Sequence, residues 1–228
     1  MTGAAVVTGA GRGIGRAIAV ALARRGVSVA LVATTRSELD ETARQVEDVG
    51  GHATVASCDV ADADAVADLA RGLSQAIGAP RIVVNNAGIV RRGRVQELAV
   101  SDWDRVMAVN LRGTFLVTRA FLPAMLAERR GRIVNVGSIS STLGTAGQSA
   151  YNAEKWGVVG FTKSLAEELR GTGLQALSVL PGAVDTAMLA GSGFPPQMTP
   201  EAVAGTLVYA ALDAPDAMNG SAIEVFGP

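Results

Sequence analysis

The stretch AAVVTGAGRGIG, residues 4–15, decides the fold. Its first five residues, AAVVT, suit a buried strand, and its last eight place glycines at 9, 11, 13 and 15. The common dinucleotide fingerprint G-x-G-x-x-G needs a third glycine at 14 or 16, where Ile14 and Arg16 stand, so that register fails. The register that fits is G-x-x-x-G-x-G on Gly9, Gly13 and Gly15, with Gly11 and Arg12 inside the turn. The physics is unchanged. Gly9 and Gly13 let the backbone approach a pyrophosphate, and Gly15 lets the helix lie close to the strand. The free amides of the helix start, around Ile14, face the anion.

Outward from this stretch, short apolar runs alternate with longer helical patterns. Strands are expected at 4–8, 27–33, 52–58, 81–86, 131–137, 174–180 and 222–226. They are nearly continuous apolar runs, as a parallel sheet covered on both faces requires. Between them, Ile14, Ala17, Ile18, Ala21 and Leu22 form one helical stripe, and Val158, Phe161, Thr162, Leu165 and Leu169 another. Ser37, Asp62 and Ser101-Asp102 read as helix starts, and Gly26, Gly50-Gly51 and Gly131 as helix ends. The alternation predicts an α/β fold: a doubly wound, Rossmann-type parallel sheet of seven strands with helices on both faces. No repeat or linker divides the chain, so a single domain over 1–228 is expected, and 187–200 is a Gly/Pro-rich loop within it.

The bulk numbers narrow the function. Lys plus Arg (20) nearly balances Asp plus Glu (21), leaving no basic field for a nucleic-acid backbone. Cys58 is the only cysteine and His52 the only histidine, which argues against a disulfide or a Cys/His metal site. No apolar run reaches membrane-spanning length and no signal-peptide pattern opens the chain. A cytoplasmic protein, with neither nucleic acid nor membrane as partner, is the expectation.

The end of the second strand bears on which dinucleotide is held. An NAD site wants a carboxylate there for the ribose 2′-hydroxyl. This strand ends Ala33-Thr34-Thr35-Arg36, with no carboxylate before Glu38. Arg12 and Arg36 can pair with a 2′-phosphate, so NADP(H) is favoured, with NAD(H) as the alternative.

Farther along stand NNAG (85–88), Asn110, Ser138 and YNAEK (151–155), in which Tyr151 precedes Lys155 by four residues. Singly, each has an ordinary explanation: a helix-start ring, a strand-end turn serine, an asparagine bonding its own helix. In this order, with Asp59-Val60, a serine thirteen residues before Y-x-x-x-K, and PGAVDT (181–186), the chain resembles the short-chain dehydrogenase/reductase family. The likeness runs from about residue 3 to 226 and is greatest to its 3-oxoacyl-acyl-carrier-protein reductase-like members.

The chemistry explains why such a set belongs together. Tyrosine and lysine four apart share one helical face. A free phenol has a pKa of about 10 and is a poor acid or base near neutrality, and a nearby ammonium lowers that value. Tyr151 is thus expected as the general acid/base of carbonyl–alcohol interconversion, with Ser138 polarising the substrate oxygen. The resemblance implies more. Lys155 would hold the nicotinamide ribose, and Asn110 a water leading to solvent. Asp59 and Val60 would meet the adenine, Asn86, Ala87 and Gly88 the middle of the cofactor, and Thr186 the carboxamide side, with Pro181, Gly182 and Val184 also binding the cofactor.

The loop after PGAVDT is short and apolar, with Met188, Leu189, Phe194, Pro195 and Met198, and Leu143 and Gln148 are expected to line the substrate pocket beside it. A small carbonyl or alcohol substrate fits this. Arg91, Arg92 and Arg94, and Arg129, Arg130 and Arg132, form two basic clusters of the kind on which the resemblance implies an acidic acyl carrier docks, although Thr172 stands where those family members have an arginine. The resemblance also implies a homotetramer or homodimer through helices near 102–127 and 150–170. Two other classes remain: a non-catalytic dinucleotide-sensing regulator, which would need no proton-transfer set, and a nucleotide-sugar epimerase or dehydratase, for which the chain is short.

Overall fold

The computed structural model describes residues 3–227; residues 1, 2 and 228 of the expected domain lie outside them. Seven strands form one sheet: β1 (Ala4–Thr8), β2 (Ser28–Ala33), β3 (Ala53–Ser57), β4 (Ile82–Asn85), β5 (Gly131–Val136), β6 (Leu174–Pro181) and β7 (Ala222–Val225). The order is β3-β2-β1-β4-β5-β6-β7, and every pairing is parallel. Strand order reverses between β1 and β4, and a crevice opens there at the carboxyl ends, where open α/β sheets bind their ligands.

The central strands are buried along their whole length because helices cover both faces. One face carries α1 (Gly13–Arg24), α2 (Arg36–Asp48) and α7 (Pro200–Val208) over Ile18, Leu22, Leu39 and Leu207. The other carries α3 (Ala63–Ile77), α5 (Gly113–Glu128) and α6 (Ser149–Glu168) over Leu69, Phe121, Met125 and Leu165. A short helix, α4 (Val100–Val106), leads into α5 through a π-helical turn, Met107–Arg112.

Several helix ends differ from expectation. Asp62 caps α3 as predicted, its carboxylate accepting from the Asp64 and Ala65 amides. By contrast, α2 starts one residue before Ser37, with Thr35 at its cap, and α4 starts from Ala99 rather than at Ser101-Asp102. Gly131 does not close a helix; Arg129, in the left-handed region at φ 51°, does. Gly131 opens β5, where a Cβ would stand 2.8 Å from the Arg81 carbonyl oxygen, so its role is close approach of two strands. The segment 187–200 is irregular as expected, tied back by a bridge between Val184 and Met198.

Candidate active site

At the carboxyl ends of the strands lies a cleft of about 1650 Å³. Its floor is the glycine turn. Arg12 caps α1 with extended backbone and no side-chain bond to the helix amides, which leaves the first amides of α1 free for an anion. Gly9 and Gly13 both have positive φ, 63° and 53°, and a Cβ at Gly9 would stand 2.8 Å from the Asn86 amide nitrogen. Gly11, Arg12 and Ile14 line the cleft with them, while Gly15 does not: a Cβ there would lie 2.1 Å from the Gly9 carbonyl oxygen. Gly15 is a packing residue rather than a lining one. The cradle therefore has the backbone shape and the free donors that a pyrophosphate needs.

The turn after β4 is stitched to the glycine turn. Thr8 Oγ1 accepts from the Asn86 and Ala87 amides at 3.0 and 3.1 Å, and Asn86 Nδ2 donates to the Thr8 and Gly9 carbonyls. Asn86, Ala87 and Gly88 consequently form the middle of the cleft wall. Below them runs a buried polar chain that sequence reading did not identify. Asn85 Nδ2 donates to Thr118 Oγ1 and to Asn135 Oδ1, and Asn135 Nδ2 donates to Thr162 Oγ1 at 2.8 Å.

The end of the cleft expected to meet an adenine is bounded by Thr34, Asp59 and Val60. Burial alone would raise the Asp59 carboxyl, but the Ala61 amide at 3.0 Å and Arg105 at 2.8 Å together hold it below its ordinary value. The two arginines expected at the 2′ position behave differently. Arg36 does not line the cleft; it bonds Asp40 one turn along α2, at 2.7 Å. Arg12 does line it, facing Glu38 at 3.3 Å. Glu38 had no role in the sequence reading, yet it stands against Gly11 and faces the cleft.

At the other end, Ser138, Tyr151 and Lys155 come together with Pro181, Gly182, Val184 and Thr186 on the same wall. Ser138 caps the turn after β5, its Oγ accepting from the Ser140 amide at 3.1 Å, so its hydroxyl hydrogen is left to point elsewhere. The Tyr151 hydroxyl reaches towards Met188 Sδ, 4.0 Å away. The Lys155 ammonium lies 5.4 Å from the centre of the Tyr151 ring and donates to the Val136 carbonyl at 3.0 Å. Burial would lower the Lys155 pKa, but Glu154 and Tyr151 beside it outweigh this and raise it. The ammonium is a fixed buried cation under the phenol.

Asn110 is 1% exposed and stands behind the cleft rather than in its wall. The π-helical turn aims its amide at the Ile89 peptide, accepting from its N–H and donating to its carbonyl, both at 2.8 Å. It also donates to Glu154 at 2.7 Å, and through that carboxylate it connects with Lys155.

Among substrate-side residues, Leu143 and Met188 are exposed at the mouth, and Gln148 is buried, pinned where Gly93 bridges to it. Met198 instead sits in the core and does not line the cleft. Arg92 holds the loop, donating to the Met188 and Ala190 carbonyls at 2.8 and 3.1 Å. Arg91 and Arg92 edge the cleft, but Arg129, Arg130 and Arg132 precede or open β5, at the opposite end of a parallel sheet. That second cluster cannot present anything to this site. Among the described residues no three His, Cys, Asp or Glu side chains gather as metal ligands, and no helix is long and apolar enough to cross a membrane.

Comparison with known proteins agrees with this geometry. A family profile described as short chain dehydrogenase matches residues 3–193. The chain is 37% identical to a 3-oxoacyl-[acyl-carrier-protein] reductase of Synechocystis over 219 residues, covering 92% of this chain and 89% of that protein. It is 39% identical to the reductase FabG of Vibrio cholerae over 184 residues, 81% of this chain and 74% of that one. Among solved structures, a protein described as a short-chain alcohol dehydrogenase from Sinorhizobium meliloti 1021 superposes with a TM-score of 0.92 at 32% identity, covering 99% of this chain and 95% of that one. Levodione reductase superposes with a TM-score of 0.93 at 26% identity, covering 98% and 95%. The glycine turn, the stitched NNAG loop, and the serine, tyrosine and lysine on one wall are thus found in a chain whose sequence and fold agree on their kin: it belongs to the short-chain dehydrogenase/reductase family and is an oxidoreductase.

Proposed function

We propose that the chain interconverts a carbonyl and a secondary alcohol with NADP(H), Tyr151 acting as general acid/base. The observation that carries the reading is the buried Lys155 ammonium 5.4 Å from the Tyr151 ring, in a helix whose phenol opens on the cleft. The glycine turn at Gly9, Gly11 and Gly13 would hold the dinucleotide, which when bound would supply or take up the hydride. In reduction Tyr151 gives its proton to the carbonyl oxygen, and in oxidation it takes the hydroxyl proton. Ser138 donates to the same oxygen and stabilises the charge that develops there. Lys155 sets its ammonium beside the phenol and orients the ribose.

NADP(H) is favoured because the Arg12–Glu38 pair is exposed and weakly held, so Arg12 is free to turn to a 2′-phosphate. NAD(H), with Glu38 accepting from a 2′-hydroxyl, is the alternative.

For the substrate, the apolar mouth at Leu143, Met188 and Phe194 supports a modest apolar ketone or alcohol. A 3-oxoacyl thioester on an acyl carrier is the second reading. It is favoured by the names of the relatives and by Arg91 and Arg92 at the cleft edge. A cytoplasmic enzyme, dimeric or tetrameric through α5 and α6, completes the proposal.

The deciding experiment is a spectrophotometric screen of NADPH and NADH oxidation against small ketones and against free and carrier-bound 3-oxoacyl thioesters. Turnover with any carbonyl supports the reading, and preference for the carrier-bound thioester selects the second substrate class. No turnover across the panel would overturn it.

A further inference from the structure

One buried carboxylate has no part in the reading above. Glu154 precedes Lys155, sits about 100° round α6 from it, and faces the π-helical turn rather than the cleft. Its side chain is fully buried. Oε1 accepts from Asn110 Nδ2 at 2.7 Å and stands 3.6 Å from Lys155 Nζ, while Oε2 is buried without a partner. The result is one chain of contacts: the Ile89 peptide fixes Asn110, Asn110 holds Glu154, Glu154 faces Lys155, and Lys155 lies under Tyr151.

The protonation state follows from the partners. A carboxylic acid needs an acceptor for its own O–H. Among the described residues Oε1 faces two donors, the Asn110 amide and the Lys155 ammonium, which favour the ionised carboxylate, while Oε2 has a partner for neither form. Burial holds the Glu154 carboxyl above its ordinary value, with Lys155 and Asn110 acting against that, so the ionised form rests on the two donors at Oε1. The charged group acting on Glu154 is Lys155, on its own helix, and Tyr151 acts in turn on Lys155. The facing π-helical turn contributes the neutral Asn110 amide.

We propose that Glu154 is an ionised positioning residue, which fixes Asn110 and the Lys155 ammonium and whose charge sets the pH at which the Tyr151–Lys155 couple loses its first proton. The inference rests on the proton-transfer reading of Tyr151. An ammonium alone would pull the phenol proton off at lower pH. A carboxylate 3.6 Å from it cancels part of that field, so the couple keeps its proton longer and remains an acid in the reductive direction.

The test compares wild type, Glu154→Gln and Glu154→Asp in the NADPH-dependent reduction of acetoacetyl-coenzyme A across pH. Reduction needs the protonated couple, so activity falls as pH rises through its apparent pKa. Removing the negative charge eases proton loss. The falling limb of Glu154→Gln should therefore move to lower pH by about one unit, and Glu154→Asp, which keeps the charge, should return it towards wild type. Coincident limbs for wild type and Gln would overturn the proposal, as would an Asp variant displaced as far as Gln. The wild-type protein supplies a reading independent of turnover and of whether Gln folds. Labelled with 13C at the glutamate carboxyls, and with Glu154 assigned through the Asp variant, it should show that carboxyl ionised at pH 7. A protonated Glu154 there overturns the proposal. The two readings fail separately. A fully active Tyr151→Phe removes the proton-transfer scheme and this inference with it, whereas an inactive Tyr151→Phe beside an unshifted Gln limb removes Glu154 alone.

Discussion

Arg12 and Glu38 face each other across the glycine turn, guanidinium nitrogen to carboxylate oxygen 3.3 Å apart, with the two side chains 69% and 32% exposed. An ion pair that open is worth about 0–1 kcal/mol, so either partner can be recruited by a cofactor at little cost. Both side chains line the cleft beside the glycine turn, and the proposed function sets this pair of opposite charges at the 2′ substituent of the dinucleotide. Arg12→Ala should weaken NADPH roughly tenfold and NADH little, whereas Glu38→Gln should weaken NADH and spare or improve NADPH. Cofactor titration by fluorescence quenching measures both. Arg36→Ala, whose side chain does not line the cleft, should change neither.

Cys58 lines the cleft, yet it should be a sluggish thiol. Burial first, then the Asp59 and Asp62 carboxylates, push its pKa up to about 11. At pH 8 only about a thousandth of it is thiolate. Alkylation by iodoacetamide, followed by mass spectrometry, should be slow at neutrality and quicken about tenfold per pH unit while the protein stays folded. Fast labelling at pH 7 would contradict the electrostatics given for this wall.

The outer face of α5 and α6 carries Phe115 and Phe161 edge to face, ring centres 6.4 Å apart, above a hollow of about 590 Å³ shared with Met107 and Leu111. Phe115 and Trp156 are exposed there. If a second copy covers this face, Phe115→Asp should shift the size-exclusion peak towards monomer without unfolding the chain. An unchanged assembly would place the interface elsewhere.

Asn135 joins β5 to α6 and β4 through two buried bonds. Asn135→Ala leaves Asn85 and Thr162 each short of a partner and should destabilise the fold by about 1–3 kcal/mol, read as a lowered urea midpoint at unchanged slope.

The central strands were legible because burial on both faces leaves a nearly continuous apolar run, and the edge strands β3 and β7, only partly buried, still kept enough of one to be read. Helix ends were less so. At α2 the cap at Thr35 makes no side-chain bond, so Ser37 offered the stronger local sign although it lies inside the helix. The π-helical turn at Met107–Arg112 left no trace in composition, because it redirects Asn110 without interrupting the apolar pattern. The glycine turn was found through its register and Tyr151 and Lys155 through their spacing, whereas Asp59, Val60, Asn86 to Gly88 and the 181–186 segment came from the family resemblance. Glu154 and Glu38 were missed because a lone acidic residue off the apolar stripe reads as solvent-facing, and only tertiary contact shows one buried and the other at the cleft. The arginines at 129–132 look like those at 91–94 in sequence, yet strand direction puts them at opposite ends of the sheet.

The central claim is that the Tyr151 phenol carries the proton in carbonyl–alcohol exchange, and Tyr151→Phe tests it most directly, since it removes one oxygen and leaves the ring above Lys155. Measured with the carbonyl substrate that wild type reduces fastest, kcat/KM should drop by roughly 10²–10⁴-fold while NADPH binding stays within a few-fold. A variant that folds, binds NADPH and turns over at the wild-type rate would contradict the account.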